Sequence, residues 1–268
     1  MITLYDDGEH KFVVFRDLTP KGMVQTNQAV IVHGSSPLLL DPGGRAVFQK
    51  LLAEISHVVP APRLTYIFFS HQDPDVLGGA ASWYVSVPGS RILLPAVWLR
   101  FLPHVFPPDV AVSERIVPIP DDGMRLDLGG CEVLFIPAHF LHSPGNFTVY
   151  DARSKTLFSG DILASLPPPE EDRDFVEDFA LFARYAEPFH KRYMASSKAI
   201  KLWLSQVSKL DVEQIVPQHG PILRGREVVA EALRWLSGLR CGLDLIEEKR
   251  RSEKHRARLH PRFRFSAG

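Results

Sequence analysis

Four segments of the sequence place histidine or aspartate shortly after an apolar run. These segments contain His71, His142, Asp161 and His219. Apolar runs of this length predict buried strands, and strand ends that open into loops are where a rigid sheet can direct side chains to one point. Four such ends carrying imidazole and carboxylate groups, several of them beside Gly or Pro, predict a metal site built from loops along one sheet edge.

The first of these segments is the richest in groups that can bind a metal. It contains His71, Asp73 and Asp75 at alternate positions, directly after an apolar strand. Pro74 stiffens the loop between the two carboxylates, and a helix predicted to begin at Val76 fixes the other end. Taken alone, a histidine followed by two acids is a polar loop in most proteins, so the segment favours a metal site only together with the other three.

The elements that position these groups are predicted from the spacing of apolar residues. Apolar runs bounded by turn residues predict strands, and apolar residues at helical spacing predict amphipathic helices. Strands are more numerous than helices and interleave with them, which predicts a layered α/β (α+β) domain with strands buried on both faces. The strands are predicted at residues 11–15, 28–33, 37–41, 64–69, 91–95, 131–137, 147–150, 156–159 and 214–217, and the helices at 47–58, 197–208 and 228–248.

The composition is that of an ordinary folded protein. The chain has 268 residues, with 31 Lys and Arg against 31 Asp and Glu, and 45% of its residues are hydrophobic. These values exclude disordered and fibrous proteins, and no apolar stretch predicts a transmembrane helix or a signal peptide. The two cysteines, Cys131 and Cys241, need not be bridged, so a reducing compartment, the cytoplasm, is expected.

The order and separation of five segments resemble the metallo-β-lactamase superfamily over nearly the whole chain. The segments are Asp41-Pro42-Gly43, His71-x-Asp73-x-Asp75, His142-Ser143-Pro144, Ser159-Gly160-Asp161 and Pro217-Gln218-His219-Gly220. Hydrolytic zinc members usually carry histidine at the positions of Asp73 and Val76, whereas the di-iron branch carries a carboxylate, usually Glu, at the first. The chain therefore resembles the di-iron branch, with flavodiiron and oxygen-binding di-iron proteins, which implies a four-layer αββα sandwich.

The resemblance also implies two iron ions per chain, with zinc or manganese as alternatives. Carboxylates and imidazoles suit iron chemically, whereas closed structural zinc sites favour cysteine and histidine. The implied ligands form two sets that share Asp161 as a bridge: His71, Asp73, His142 and Asp161 for the first metal, and Asp75, Asp161 and His219 for the second.

Roles at some neighbouring positions stay open. His139 follows the same strand as His142, but the family's His-x-Pro pattern favours His142 as the ligand. Asp41 is expected to order a turn or to hydrogen-bond a ligand histidine. The resemblance places a helical stretch with tyrosine beside the di-iron pocket, so Tyr185 or Tyr193 is expected to donate a hydrogen bond to bound oxygen, with an ordinary core tyrosine as the alternative.

The function implied by the resemblance is dioxygen binding by a stand-alone di-iron protein. It would act as an oxygen sensor or carrier, or as an oxygen reductase with a separate electron donor. Residues 228–248 predict one helix and no flavin domain, so electrons would have to come from an external redox partner. The resemblance also implies dioxygen, a signalling protein and a second copy in a homodimer as partners. The alternative is a di-metal hydrolase, most simply a phosphodiesterase, because two metals lower the pKa of a bridging water. The least favoured hypothesis is a non-catalytic binding domain in which the metals are only structural.

Two further segments lie outside the expected metal site. Residues 166–178, rich in proline and acid, predict an exposed loop, either a lid over the site or a plain connection. Residues 249–264 hold eight Lys and Arg against one acid, which is typical of a solvated tail and predicts no clear nucleic-acid site. We therefore expect a metallo-β-lactamase-like di-iron domain over residues 1–246 and a basic C-terminal tail over residues 247–268.

Overall fold

The computed structural model describes residues 1–106 and 112–259, and within these ranges the strands form two sheets. The first sheet contains β1 (Ile2–Asp6), β2 (His10–Phe15), β3 (Gln28–His33), β4 (Leu38–Leu40), β5 (Tyr66–Phe68), β6 (Arg91–Pro95) and β7 (Ile116–Ile119). The second contains β8 (Met124–Asp127), β9 (Glu132–Pro137), β10 (Phe147–Asp151), β11 (Thr156–Gly160), β12 (Gln214–Pro217) and β13 (Leu223–Arg224).

Each sheet combines antiparallel and parallel pairing. In the first sheet the strands follow chain order, antiparallel from β1 to β4 and parallel from β4 to β7. The second sheet has the order β13-β12-β11-β10-β9-β8, in which only the β11–β12 pair is parallel. Parallel neighbours end at the same sheet edge, so the loops after β5, β11 and β12 are free to carry functional groups there.

Most of the helices lie on the outer faces of the two sheets. The helices are α1 (Arg45–Ile55), α2 (Pro74–Leu77), α3 (Ala80–Ser86), α4 (Phe179–Tyr193), α5 (Ser197–Val207), α6 (Arg226–Gly238) and α7 (Leu243–Leu259), with short 3₁₀ segments at Ala61–Arg63, Ala96–His104 and Val112–Arg115. Among the described residues, every helix is too short or too polar to span a membrane.

Three apolar clusters separate four layers. One fills the space between the sheets, where the rings of Phe68 and Phe135 meet edge to face at 5.0 Å. A second lies between the first sheet and α1 and α3, around Trp83, and a third lies between the second sheet and the C-terminal helices, around Trp203. The chain therefore forms the predicted αββα metallo-β-lactamase-like sandwich, because each sheet buries both of its faces.

The predicted strands of the sheet interiors are all present, and the strands missed by sequence are the edges. Sequence predicted none of the four edge strands, which are β1 and β7 in the first sheet and β8 and β13 in the second. Most residues of β1, β7 and β8 are partly or fully exposed, and β13 has only two residues. An edge strand buries little apolar surface, so its sequence pattern is weak.

The helix predicted over residues 228–248 is wrong, because the chain forms two helices there. Helix α6 ends at Gly238 and α7 begins at Leu243. Between them Gly242 has φ of 49°, and Asp244 Oδ2 accepts hydrogen bonds from the backbone N–H groups of Ser197, at 2.8 Å, and Cys241, at 3.2 Å. These contacts with the start of α5 specify a turn that apolar spacing does not reveal.

The predicted boundary between residues 246 and 247 falls inside helix α7. Of the predicted tail, residues 260–268 lie outside the described part of the chain. The division into a domain and a tail therefore stays a prediction. The two cysteines, Cys131 and Cys241, are buried free thiols, as expected from their separation.

Candidate metal centre

The six predicted ligands meet at one end of the sandwich. Backbone hydrogen bonds join the two sheets there, from Asn27 N to Gln218 O at 2.6 Å and from Phe147 N to Ser70 O at 3.2 Å. The ligand groups are His71, Asp73 and Asp75 after β5, His142 after β9, Asp161 after β11 and His219 after β12.

Asp161 lies at the centre of this group and is buried. Its Oδ2 atom is 2.6 Å from His142 Nε2 and 3.4 Å from His71 Nε2. Its Oδ1 atom is 3.4 Å from His219 Nε2. The two oxygens of one carboxylate therefore face histidines from different loops.

The other two aspartates of the cluster, Asp73 and Asp75, lie on opposite sides of the Asp161 carboxylate. Asp73 Oδ2 is 3.3 Å from His142 Nε2 and 3.9 Å from His71 Nε2, on the Oδ2 side of Asp161. Asp75 Oδ2 is 3.3 Å from His219 Nε2, on the Oδ1 side. One donor atom from each of His71, Asp73, His142 and Asp161 lies within 4.8 Å of the others. The arrangement is thus two sets of donors that share Asp161.

The donor atoms fit metal ions by chemistry and by spacing. His71 Nε2 and Asp161 Oδ1 are buried without a hydrogen-bond partner, a state that costs about 1–3 kcal/mol per neutral group and more for a charged one. Two ligand atoms each about 2.1 Å from one ion lie at most about 4.2 Å apart. The donor distances across the cluster, 2.6 to 3.9 Å, fall within that limit. Imidazole nitrogens and carboxylate oxygens suit iron, manganese and zinc.

His71 is oriented by a buried chain of hydrogen bonds. Its Nδ1 atom is 2.8 Å from Ser70 Oγ, and the Ser70 hydroxyl donates to Asp41 Oδ2 at 2.6 Å. Asp41 Oδ1 also accepts from the Ser70 backbone N–H at 2.7 Å. Burial raises the pKa of Asp41 to about 6. The contact expected between Asp41 and a ligand histidine therefore runs through Ser70, and it directs His71 Nε2 toward the cluster.

A backbone carbonyl orients His219 in the same way. Its Nδ1 atom lies 2.7 Å from Gln25 O, an acceptor, so Nδ1–H donates and Nε2 faces Asp75 and Asp161. Gly220, the next residue, has φ of 84°, and a Cβ there would lie 2.7 Å from Ser165 O. Only glycine fits this turn without strain, which explains the Gly that follows the histidine.

His190 supports the turn that follows Asp161. Its Nε2 accepts a hydrogen bond from Leu163 N at 2.9 Å, and its Nδ1–H donates to Ala186 O at 2.7 Å. Burial lowers its pKa to about 4, so the ring is neutral at pH 7. Sequence gave no signal for this role, because it depends on how α4 packs against the loop after β11.

The histidines of the cluster carry protons when no metal is bound. Burial acts to lower the pKa of His142 and His219, but close contacts with the carboxylates of Asp161 and of Asp73 or Asp75 raise it to about 10 in both. Burial acts to raise the pKa of Asp161, yet the His71 charge and the close contacts of the three histidines hold it well below its usual value. Metal binding must therefore displace protons from the imidazoles.

Residues considered as alternatives lie outside the donor cluster. His139 Nε2 is 2.7 Å from Asp121 O, and its ring packs on Phe147. The Tyr185 hydroxyl donates to Glu171 Oε2 at 2.7 Å, so the role predicted for it beside bound oxygen stays a prediction. The ring of Tyr193 meets that of His142 at 5.6 Å between centroids.

Arg16 connects the segment 166–178 to the His219 turn, a contact that sequence did not reveal. Its guanidinium lies 2.8 Å from Asp172 Oδ1 and 3.1 Å from Asp174 Oδ1, and Nε–H donates to Asn27 Oδ1 at 3.1 Å. The Asn27 amide in turn donates to Pro217 O and Gly220 O, each at 2.8 Å. The acidic segment is therefore anchored beside the cluster, although its role as a lid stays a prediction.

Comparison with known proteins gives a family and close structural neighbours. The family model described as ODP family beta lactamase matches residues 24–220. A structure described as a peroxy diiron species of chemotaxis sensor ODP is 43% identical, with a TM-score of 0.82 over 92% of this chain and 99% of that chain. The apo state of chemotaxis sensor ODP from T. denticola is 42% identical, with a TM-score of 0.82 over 92% of this chain and 97% of that chain.

Curated relatives of this chain are longer proteins. Coenzyme F420H(2) oxidase from Methanothermobacter marburgensis is 26% identical over 227 residues, which are 80% of this chain and 55% of that protein. The chain spans between about a third and about half of the length of such relatives.

Proposed function

Because the chain belongs to the ODP family beta lactamase family, we propose that it is a non-haem di-iron protein that binds dioxygen and acts as an oxygen sensor. The similarity to two structures of a chemotaxis sensor, at 43% and 42% identity over 92% of the chain, supports sensing over turnover. A signalling partner, a homodimer and a cytoplasmic location stay predictions.

One observation carries the proposal. The two oxygens of the buried Asp161 carboxylate face two separate sets of donors, His71 and His142 on one side and His219 on the other. A carboxylate in this position can bridge two cations and reduce their mutual repulsion. We assign the first iron to His71, Asp73, His142 and Asp161, and the second to Asp75, Asp161 and His219.

Bound ferrous iron supplies open coordination positions and electrons for dioxygen. The residues around it hold the donors in place before the metal arrives. Ser70 and the Gln25 carbonyl fix the tautomers and ring orientations of His71 and His219, so each presents Nε2. Phe189 and Tyr193 stack at 4.7 Å between centroids, and both rings meet that of His142 in T-shaped contacts, which support the position of this imidazole.

A spectroscopic experiment with a matched control tests the proposal. Protein loaded with ferrous iron without oxygen should contain about two irons per chain, and it should gain a visible absorption band on exposure to oxygen. His142→Ala should abolish the band, because this histidine contacts both Asp73 and Asp161. His139→Ala is the control, because His139 follows the same strand but contacts Asp121 O instead.

Several outcomes would contradict the proposal. Zinc or manganese at the same stoichiometry in protein purified without added metal, with no oxygen-dependent band after iron loading, would favour the hydrolase alternative. In that case metal-dependent cleavage of a nitrophenyl phosphodiester should be lost on Asp75→Ala. Rapid continuous oxygen consumption with an external reductant would favour a reductase over a sensor.

A further inference from the structure

A second group of buried donors lies away from Asp161. It consists of His10, His33 and Cys131, all buried, with one donor atom from each within 4.8 Å of the others. The imidazole rings of His10 and His33 are 5.4 Å apart between centroids. No residue of this group belongs to the centre described above.

The strand register puts this group at the opposite end of the sandwich. His10 pairs with His33 across β2 and β3, whereas the other end of β3 adjoins Asn27, which contacts Gln218 beside the first cluster. Gln28 and His33 are five steps apart along β3, a distance of about 16 Å. His10 begins β2, His33 ends β3, and Cys131 lies in the connection between β8 and β9.

A buried carboxylate fixes the orientation of His10. Asp151 Oδ2 is 2.7 Å from His10 Nε2, and Asp151 also accepts from the Ser154 hydroxyl. An ionised carboxylate only accepts, so Nε2–H donates, and in the neutral tautomer of the ring Nδ1 then has a free lone pair. Histidines that bind metals characteristically donate their second N–H to a carboxylate in this way.

The free nitrogens of the group have no partner. His10 Nδ1 and His33 Nδ1 are both buried without a hydrogen bond. Burying a polar atom without a partner is costly, so two such atoms within one group of three donor residues need an explanation. Burial raises the pKa of Cys131 to about 11, which keeps the thiol protonated until a cation displaces its proton.

We propose that His10, His33 and Cys131 form a second metal site, specific for a borderline or soft divalent ion and best suited to Zn²⁺. Two imidazoles and one thiolate are a donor set for zinc, and three protein ligands leave one position open. The first centre has only oxygen and nitrogen donors, so the two sites are expected to differ in which metal ion they prefer. The proposal does not rest on the function proposed above.

Cobalt(II) is the probe, because it occupies zinc sites and gives a near-ultraviolet charge-transfer band only when bound to thiolate. Metal-free full-length protein titrated to saturation with Co²⁺ should gain this band with the intensity of one thiolate-bound cobalt per chain, and added Zn²⁺ should remove it. Cys131→Ser should abolish the band. His33→Gln should weaken cobalt binding by about tenfold or more.

Two control variants isolate the site. Cys241→Ser should keep the band, because Cys241 is equally a buried free thiol but lies outside the group. Asp161→Asn should also keep it, because the first centre contributes no sulfur. Wild-type protein that shows no thiolate band would overturn the proposal whether or not the variants fold. A band retained at full strength in folded Cys131→Ser would overturn it as well.

Discussion

The two ends of the sandwich both bury histidines, but they do so with different partners and from different elements. Around Asp161 the histidines come from loops after strands and face three carboxylates. At the other end His10 and His33 stand on paired strands beside one thiol, and only His10 contacts a carboxylate, that of Asp151. Loops can bring many charges to one point, whereas strand pairing fixes a few groups in register. The following variants test this contrast.

The largest effect is expected when the central carboxylate at either end of the sandwich is replaced by an amide. Asp161→Asn should reduce bound iron from about two per chain to less than one, since both sets lose their shared ligand. Asp151→Asn should leave iron unchanged and lower zinc affinity by about 10–100-fold, because it acts through His10. Elemental analysis after equilibrium dialysis measures both. Equal iron loss in the two variants would contradict the separation of the sites.

A smaller effect is expected when only the support of a donor is removed. Ser70→Ala breaks the chain from Asp41 to His71 and should weaken iron binding by about 10–100-fold. Ser90→Ala provides the control, because Ser90 is also buried but its hydroxyl donates to Val87 O. Competition with a chelator gives the affinities. Identical values for both variants would show that Ser70 does not position the histidine.

The smallest effect concerns pH and the metal-free protein. The pKa of His219 is raised to about 10 by its carboxylate partners, above the ordinary value of 6.5. A raised pKa stabilises the folded state fully below about pH 6.5, and this contribution is lost as the pH rises through about 10. Thermal unfolding of metal-free protein should therefore show a decline across this range that is smaller in His219→Gln. His139→Gln should retain the wild-type decline.

Local sequence patterns indicated which side chains lie close together in the donor cluster. His71, Asp73 and Asp75 follow one apolar strand, and the His-x-Pro pattern favoured His142 over His139, which the structure indeed places apart from the cluster. A layered α/β (α+β) domain was predicted from the apolar strands, which are buried on both faces, and the four-layer αββα arrangement was implied by the family resemblance. The assignment of these residues as ligands stays a prediction until metal is measured.

Contacts between distant segments were not predictable from one sequence. Ser70 directly precedes His71, but the sequence does not reveal that it contacts Asp41, 29 positions away, and the carbonyl that orients His219 belongs to Gln25, 194 positions away. His10 and His33 meet only because β2 and β3 pair in one register, and Cys131 joins them from the other sheet. Each depends on tertiary packing, which short-range spacing does not contain.

The buried guanidinium of Arg16 has a consequence for how this sequence varies among relatives. It contacts Asp172, 156 positions away, and Asn27, which contacts the turn after β12. Loss of the cation would leave acidic groups and an amide without their partner, so a change at any one position disfavours the others. Residues 16, 27, 172 and 174 are therefore expected to be exchanged together in evolution, as a single unit of covariation.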